Sequence, residues 1–377
     1  MSTTLRNSLD ELETPALILD RRRLDANLLR MREHVARLGV SLRPHMKTAK
    51  SAEVARRALP QGGGITVSTL REAEYFFGHG YHDLFYAVGA SPQKLDRAAA
   101  LMRRGARLLL ALDQPEAARA IAERGSALGL AFEVMIEIDC GDGRCGLDAQ
   151  SSALLEVAAE LRDGATLAGV FTHGGHSYTG RSPDELAAVA EQERRAVTAA
   201  ASRLRSTGYD CAIVSMGSTP SVTHARDLSG VTEVRAGIYM FGDAFQAGVG
   251  SCSAGDIAVS VLATVIGQYP QRGELIVDAG ALALSKDIST NRFDDERNVG
   301  YGLVSGDEGL YVARVSQEHG VIRRRGGELD FSRHPVGSRL RIQPNHACIT
   351  AAAYDRYHVV DGDSPAVEAE WDRVNGW

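Results

Sequence analysis

Short apolar runs alternate with longer amphipathic stretches between residues 22 and 255 of the chain. The amphipathic stretches carry apolar residues at positions i, i+3 and i+4 and end at glycine, which predicts helices. The apolar runs are short and bounded by turn residues, as buried strands are. The pattern predicts eight strands: Val40–Leu42, Ile65–Ser68, Leu84–Val88, Leu108–Leu112, Val134–Ile138, Leu167–Thr172, Ala212–Ser215 and Glu233–Ala236.

Eight strand–helix repeats predict a (β/α)8 barrel. A doubly wound open sheet is the alternative, although it needs a switch point and more helix after the last strand. From residue 256 onward the pattern changes to strands separated by glycine-rich turns, with no clear helix between them. This change predicts a second, antiparallel β domain. The early run "TPALILD", at 14–20, fits either part.

The composition is that of an ordinary globular protein, with 377 residues, 44% hydrophobic and 24% charged, and a net charge of −6. The three arginines at 323–325 fit a hairpin tip better than a nucleic-acid-binding surface. The chain shows no signal-peptide pattern and no apolar run near the ~18 residues of a membrane span. Five cysteines without framework spacing indicate free thiols. We therefore expect a cytoplasmic protein with no nucleic-acid or membrane partner.

The stretch "RPHMKTAK" places Lys47 directly after the first predicted barrel strand. The active site of a (β/α)8 barrel lies at the C-terminal ends of its strands, so this position is one where catalytic residues occur. A partly buried lysine loses its proton readily and can bind a carbonyl cofactor as a Schiff base. The alternative is that Lys47 is a salt-bridged surface residue.

Two later strand ends carry residues suited to binding an anion. "SMGSTPS" contains the hydroxyl pair Ser218 and Thr219, and "RAGIYMFGD" contains the turn Gly237, Ile238 and Tyr239. A phosphate site at the last two strands is a recurring feature of barrels, although each stretch alone is ordinary turn composition. Together with a lysine at the same rim, they predict pyridoxal 5'-phosphate, with its aldehyde on the lysine and its phosphate in this cup.

A second pair of candidate residues is in "PNHACIT", near the C-terminus. Residues i and i+2 of a strand point the same way, so a strand here would present the imidazole of His346 beside the thiol of Cys348. Imidazole and thiolate are ligands that suit zinc, and two protein ligands leave positions for water or substrate. The alternative is a hydrogen-bonded histidine beside a buried structural cysteine.

Three further residues are weaker candidates for contacts with the cofactor. Arg144, in the glycine-rich loop "EIDCGDGRCGL", could meet a cofactor ring or simply pair with Asp142. His173 and Tyr178 lie in "THGGHSY" at a predicted strand end, where they could pack on a ring or hydrogen-bond it.

Several motifs resemble those of the D-threonine aldolase and D-serine dehydratase family, pyridoxal enzymes built like alanine racemase. In chain order they are "RPHMKTAK", "EIDCGDGRCG", "GSTPS", "EVRAGIYMF", "EHG" and "PNHAC". The resemblance implies a pyridoxal-phosphate-binding barrel over residues 22–255 and a β domain formed by residues 1–21 with 256–377. It also implies a homodimer, a Schiff base on Lys47 and a divalent metal on His346 and Cys348.

The metal pair separates two branches of that family. Its aldolases typically have His-x-Asp, whereas its dehydratases have His-x-Cys with zinc, and His346 with Cys348 matches the dehydratases. The stretches "ITVSTLREAE", "SMGSTP" and "NGW" are most similar to the dehydratases that act on D-threo-3-hydroxyaspartate. The loop "CGDGRCG", in contrast, resembles the aldolases.

The resemblance thus implies zinc- and pyridoxal-phosphate-dependent elimination of water from a D-3-hydroxy amino acid, such as D-threo-3-hydroxyaspartate or D-serine, to a 2-oxo acid and ammonia. Lys47 would remove the α-proton, and zinc would polarise the β-hydroxyl. Retro-aldol cleavage to glycine and an aldehyde is the alternative. The non-enzymatic alternative is a cofactor carrier protein, but such a protein would have no function for the β domain. Four cations are candidates for a second substrate carboxylate: Arg144, Arg235, Lys286 and Arg292.

Overall fold

The computed structural model describes residues 8–307 and 309–377 of the chain. Internal contacts divide these residues into two compact units. The barrel unit comprises Arg30–Gly237 with Gly376–Trp377, and the β unit comprises 8–29 with Ile238–Asn375. Among the described residues, no helix is both long enough and apolar enough to cross a membrane.

Strands and helices alternate along the chain from Ala16 to Val234. Hydroxyl side chains start some of these helices: Thr69 accepts the amide of Glu72, and Ser182 that of Glu185. The elements are β1 (Ala16–Asp20), α1 (Arg21–Arg37), β2 (Ser41–Leu42), α2 (Ala52–Ala58), β3 (Ile65–Val67), α3 (Leu70–Gly78), β4 (Asp83–Gly89), α4 (Leu95–Arg103), β5 (Arg107–Leu112), α5 (Pro115–Leu128), β6 (Phe132–Ile138), α6 (Ala153–Glu160), β7 (Ala165–Thr172), α7 (Pro183–Ser206), β8 (Ile213–Met216), α8 (Thr219–His224) and β9 (Glu233–Val234).

Eight of these strands, β2 to β9, form a parallel sheet in the order β2-β9-β8-β7-β6-β5-β4-β3. Its two ends join just past β2, where the Thr66 amide donates to the Pro44 carbonyl at 2.9 Å and the Met46 amide donates to the Thr66 carbonyl at 2.8 Å. The sheet is therefore a closed barrel. The predicted (β/α)8 barrel is confirmed, and the open doubly wound sheet is wrong because an open sheet would leave these two edges apart.

The barrel interior mixes an aromatic core with a buried charge network. The rings of Phe85 and Phe171 meet edge to face, with centroids 5.0 Å apart. Below them the guanidinium of Arg43 bonds the carboxylate of Glu233 at 2.8 Å and that of Asp83 at 3.0 Å. A charge in the interior is stable only when it is paired in this way. Asp83 and Glu233 are the first residues of β4 and β9, so the network lies towards the N-terminal ends of these strands.

The β unit is built around a mainly antiparallel sheet of nine strands, one of which is β1. The other elements of the unit are α9 (Ala244–Gly248), β10 (Val259–Tyr269), β11 (Glu274–Val277), α10 (Ala281–Leu284), β12 (Gly302–Val304), β13 (Leu310–Val315), β14 (Gly320–Arg324), β15 (Arg339–Pro344), α11 (Ala347–Ala351), β16 (Arg356–Val360) and β17 (Ala369–Asp372). The strand order is β11-β14-β13-β12-β15-β10-β1-β16-β17. Strand β10 pairs with both β11 and β15, which closes six of the strands into a barrel of their own.

The early run "ALILD" is strand β1 and belongs to the β unit. It pairs antiparallel with β10 and parallel with β16, and all five of its residues are buried. A strand buried on both faces reads as a continuous apolar run, which is why its sequence alone does not show which sheet it joins. Strand β1 thus lies in the sheet of the β unit, between β10 and β16.

Candidate active site

Lys47 lies in a tight turn at the C-terminal rim of the barrel unit. The Lys50 amide donates to the Met46 carbonyl at 2.7 Å, which closes the turn. Met46 and Thr48 are fully buried, whereas the side chain of Lys47 is exposed. Lys50 differs, because its ammonium pairs with the carboxylate of Glu72 at 3.2 Å. Of the two lysines in the motif, Lys47 is the one presented at the rim.

Two neutral histidines accompany Lys47. Burial, reinforced by the positive charge of Lys47, lowers the pKa of His45 well below its ordinary value of 6.5. The same two causes lower the pKa of His173 from 6.5 to about 3. Both imidazoles are therefore uncharged at neutral pH, so they add no positive charge beside the lysine.

The hydrogen bond that His173 makes sets its tautomer. Its Nδ1 lies 3.0 Å from the carbonyl oxygen of Gly217, and a carbonyl only accepts, so Nδ1 carries the proton and Nε2 is an acceptor. The ring of Tyr178, a half-buried residue, lies 6.5 Å from the His173 ring, centroid to centroid. The loop after β7 thus presents an aromatic pair of defined orientation.

The predicted anion-binding residues are buried at strand ends of the same unit. Ser218 caps α8, and its hydroxyl lies 2.7 Å from that of Ser177; Thr219, the first residue of α8, is 3% exposed. Gly217 has a φ of +128°, which favours glycine, and a Cβ there would lie 2.6 Å from the Arg235 carbonyl oxygen. These contacts hold the loop after β8 in one conformation.

Gly237 ends the barrel unit beside the lysine turn. A Cβ at this position would lie 2.9 Å from both the carbonyl oxygen of His45 and the hydroxyl oxygen of Thr48, so only glycine lets the two segments approach this closely. Ile238 and Tyr239 belong to the β unit, where they lie in a buried 3₁₀ turn. The barrel unit thus brings Lys47, His173, Ser218 and Gly237 to one rim.

The two arginines proposed for the site differ in their surroundings. Arg144 is exposed on the loop after β6, and its nearest carboxylate is that of Glu137, at 3.5 Å, not that of Asp142. Arg235 is buried inside the barrel, where it donates to the Ser215 hydroxyl and to the Thr172 carbonyl, each at 2.6 Å. Burial lowers its pKa to about 10. Arg235 is therefore engaged in the core, whereas the other three candidate cations, Arg144, Lys286 and Arg292, are exposed.

The predicted strand through "PNHACIT" is wrong. Strand β15 ends at Pro344, His346 stands at the N-cap of α11, and Cys348 lies in the first turn of that helix. The helix begins here because the buried carboxylate of Asp243 accepts the Ala347 amide at 3.0 Å, while its other oxygen accepts the Gln246 amide at 2.7 Å. One carboxylate thus caps both α9 and α11.

The imidazole of His346 and the thiol of Cys348 nevertheless face each other. Although burial opposes it, hydrogen bonds to Asp287 and Cys348 raise the pKa of His346 to about 11. The Asp287 carboxylate lies 3.0 Å from Nδ1 of the ring, which leaves Nε2 for a ligand. An imidazole backed by a carboxylate and paired with a thiol is a donor set that fits zinc. Among the described residues, no group of three or more potential metal-ligating side chains occurs.

Two residues that support these sites were not predicted. Glu193 lies on the apolar stripe of α7, between Ala190 and Val197, and its side chain is fully buried. A charged residue on an apolar helical stripe is a signal that sequence reading can use. Asp287 offers no such signal, because an aspartate in a loop with serine and threonine is ordinary turn composition.

Both units of the chain are similar to known protein families. The family described as alanine racemase, N-terminal domain, matches residues 19–244, and a putative serine dehydratase domain matches residues 258–360. D-threo-3-hydroxyaspartate dehydratase from Delftia sp. (strain HT23) is 44% identical, over 99% of this chain and 100% of that enzyme. Its solved structure covers the same shares of both chains with a TM-score of 0.95.

Two further relatives span nearly all of this chain. D-serine dehydratase from Dictyostelium discoideum is 34% identical, over 96% of this chain and 97% of that enzyme. D-threonine aldolase from Arthrobacter sp. is 30% identical, over 97% of this chain and 93% of that enzyme. A second solved structure with a TM-score of 0.95 is of a cysteine-to-alanine mutant of D-threo-3-hydroxyaspartate dehydratase in the metal-free form.

Proposed function

The chain belongs to the family of D-serine dehydratases and D-threonine aldolases, pyridoxal-phosphate-dependent lyases with the alanine racemase fold, and we propose that it is a zinc-dependent dehydratase of D-3-hydroxy amino acids. Its substrates would be compounds such as D-threo-3-hydroxyaspartate or D-serine, and its products a 2-oxo acid and ammonia. The observation that carries the proposal is the contact of the His346 imidazole with the Cys348 thiol, with Asp287 behind the ring.

We assign pyridoxal phosphate to the rim of the barrel unit. Lys47 would hold the aldehyde, and Ser218, Thr219 and the backbone from Gly237 to Tyr239 would hold the phosphate. The exposed amine of Lys47 and the fixed loops after β7 and β8 fit this assignment. When bound, the cofactor supplies an electron sink for the electron pair left on Cα.

The residues around the cofactor each have a task in this proposal. Lys47, which would hold the cofactor aldehyde, would also use its Nζ to take the α-proton of the substrate. The neutral His173 keeps its orientation through the Gly217 carbonyl and presents Nε2 as an acceptor, beside the ring of Tyr178. The exposed Arg144 supplies positive charge at the same unit's rim, where it also disfavours a charged His173.

We assign zinc to Nε2 of His346 and Sγ of Cys348. Zinc bound there supplies a Lewis acid that makes the substrate β-hydroxyl a better leaving group near neutral pH. The chain's contribution is to orient the donors: Asp287 fixes the ring through Nδ1, and Asp243 fixes the first turn of α11. Because the imidazole must lose a proton to bind metal, zinc binding would release protons.

Asp287→Asn should weaken zinc binding about 10- to 100-fold, the usual effect of removing an outer carboxylate from a metal-ligating histidine. The asparagine side chain keeps an oxygen that can accept the Nδ1 proton of His346, but it loses the negative charge of the carboxylate. Competition with a chromophoric chelator measures the zinc dissociation constant without relying on turnover. Asp295→Asn, which removes an exposed carboxylate paired with Arg297 in the same unit, is the matched control and should leave the affinity unchanged.

Retro-aldol cleavage is the second candidate, because the D-threonine aldolase from Arthrobacter sp. is similar over nearly the whole chain. The two reactions treat the α-hydrogen differently. With α-deuterated D-threonine, elimination loses the deuterium from Cα and gives 2-oxobutanoate and ammonia. Retro-aldol cleavage breaks the Cα–Cβ bond and gives acetaldehyde with glycine that keeps the label. Proton NMR of the products tests the proposal, and labelled glycine would overturn it.

We also propose that the protein acts as a homodimer, which the family resemblance implies. Three large apolar side chains of the β unit, Leu282, Ile288 and Ile349, are 40–58% exposed and lie in or beside the short helices α10 and α11. Contiguous exposed apolar patches mark surfaces that associate, so these three side chains are candidates for the contact between protomers. Light scattering after size-exclusion chromatography should give twice the chain mass of 40.4 kDa.

A further inference from the structure

A single buried carboxylate joins two loops at the barrel rim. Glu193 projects from helix α7 and is 0% exposed. Its Oε1 accepts the Gly174 amide at 2.6 Å and the Gly217 amide at 3.1 Å. Gly174 directly follows His173, and Gly217 directly precedes Ser218. One oxygen therefore ties the loop after β7 to the loop after β8.

A third hydrogen bond closes these contacts into a ring. The imidazole of His173 donates from Nδ1 to the carbonyl of Gly217 at 3.0 Å, while the amide of Gly217 donates to Glu193. Both polar groups of the Gly217 residue are thus fixed, one by the imidazole and one by the carboxylate. Moving Glu193 would release the two loops together.

Local packing shows how closely the loop after β7 approaches the carboxylate. A Cβ at Gly174 would lie 2.6 Å from Cδ of Glu193, a distance that side chains do not tolerate. Glycine at this position is therefore required by the contact itself, since its backbone φ of −85° is open to any residue. The contact therefore depends on both the glycine at 174 and the carboxylate of Glu193.

Burial of the Glu193 carboxylate lowers the stability of the folded protein. Burial raises the pKa of Glu193 from 4.5 to about 7, against the opposing effects of the Ser221 hydroxyl and the Arg235 guanidinium. Its charge also helps to raise the pKa of the Cys140 thiol. An apolar residue on this stripe of α7 would stabilise the helix packing better. Groups that cost stability in this way are characteristic of functional positions.

We propose that Glu193 is a positioning residue that holds His173 and Ser218 in place for the cofactor. The proposal rests on the function proposed above, because it requires pyridoxal phosphate at this rim. It assigns to Glu193 no contact with the substrate or the cofactor. Its effect is carried by the amides of Gly174 and Gly217 to the residues next to them.

Two kinds of variant separate the acceptor from the charge. Glu193→Gln keeps a carbonyl oxygen for the two amides and removes the charge, whereas Glu193→Ala removes both. Gly174→Ala displaces the carboxylate from the other side of the same contact. Glu191→Gln is the matched control, because Glu191 lies on the same helix and pairs with Arg194 and Arg195 at the surface.

The first measurement is the cofactor dissociation constant, by absorbance titration of each full-length variant with pyridoxal phosphate. Glu193→Ala and Gly174→Ala should each raise it at least about tenfold, because each takes the acceptor away from the two amides that fix the loops. Glu193→Gln should stay within about threefold of the wild type. If both substitutions act through one contact, the double variant Glu193→Ala/Gly174→Ala should be no worse than either single variant.

The second measurement is the melting temperature of Glu193→Gln at pH 5.5 and pH 8. A carboxyl group whose pKa is raised by folding stabilises the protein fully only below about 4.5, and this stability is lost as the pH rises through about 7. The amide does not titrate. The melting temperature of Glu193→Gln relative to the wild type should therefore be higher at pH 8 than at pH 5.5.

The outcomes distinguish this proposal from the function on which it rests. Wild-type affinity in a folded Glu193→Ala variant, or additive losses in the double variant, would overturn the positioning role and leave the dehydratase proposal intact. An equal loss of affinity in Glu193→Gln and Glu193→Ala would overturn the acceptor role in the same way. Failure of the wild type itself to bind pyridoxal phosphate would overturn the proposed function, and this inference with it.

Discussion

Lys47→Ala should lower kcat by at least about 10³-fold, because the variant loses both the amine that holds the cofactor and the base that takes the α-proton. The side chain is exposed in a turn whose neighbouring residues are buried, so its truncation leaves the barrel packing unchanged. The melting temperature should accordingly stay within a few degrees of the wild type. Turnover of D-serine or D-threo-3-hydroxyaspartate, followed as ammonia release, is the measurement.

The covalent part of this prediction can be mapped on the wild type. The chain contains only four lysines, Lys47, Lys50, Lys94 and Lys286. Borohydride reduction of the cofactor-loaded protein, followed by peptide mass spectrometry, should place the phosphopyridoxyl group on the peptide that contains Lys47. Attachment at any of the other three would contradict the assignment. Lys94→Ala, which removes an exposed lysine bonded to the Tyr86 hydroxyl, is the matched control and should remain active.

Cys348→Ala should abolish stoichiometric zinc binding and lower ammonia production at least about 100-fold, because an inner ligand should matter at least as much as the 10- to 100-fold typical of outer ones. His346→Ala should have the same effect, since the two side chains face each other as one donor pair. The measurements are bound zinc by elemental analysis after dialysis, and ammonia formation with D-serine.

A cysteine outside the pair provides the control for this second prediction. Cys252 is half-buried in the same unit, and Cys252→Ala should keep both zinc and activity. Retention of one zinc per chain by both Cys348→Ala and His346→Ala would place the metal elsewhere. Loss of zinc with unchanged ammonia production would show that the metal does not act in the reaction.

The barrel could be predicted because its strands alternate with helices at a regular spacing and each buried strand is a short apolar run. The predicted strand Leu108–Leu112, for example, lies within the observed β5, Arg107–Leu112. The closure of the sheet could not be read from the pattern. It depends on backbone hydrogen bonds between Thr66 and the segment around Pro44, which join residues distant in sequence. Hydrophobic periodicity carries information about each element, but little about which edges meet.

In the candidate site, too, some features could be predicted from the sequence and others could not. His346 and Cys348 were proposed as a pair from strand geometry, yet they face each other because Asp243 starts a helix at Ala347. The two side chains lie next to each other, although the strand from which we predicted this is wrong. Asp287 and Asp243 could not be found from spacing, because their roles arise from tertiary contacts with residues about 60 and 100 positions away. The burial of Arg235 could not be predicted for the same reason, since it depends on partners from two other strands.

The central claim is that zinc bound to the β unit drives the elimination of water from the substrate. The most direct test is to measure the amount of each product as a function of the zinc bound per chain. The protein is dialysed against EDTA, loaded with pyridoxal phosphate, titrated with zinc and incubated with D-threo-3-hydroxyaspartate, D-serine and D-threonine. We predict ammonia and a 2-oxo acid in equal amounts, absent without zinc and restored as zinc approaches one per chain. Glycine with an aldehyde, or ammonia formation that does not depend on zinc, would contradict the account.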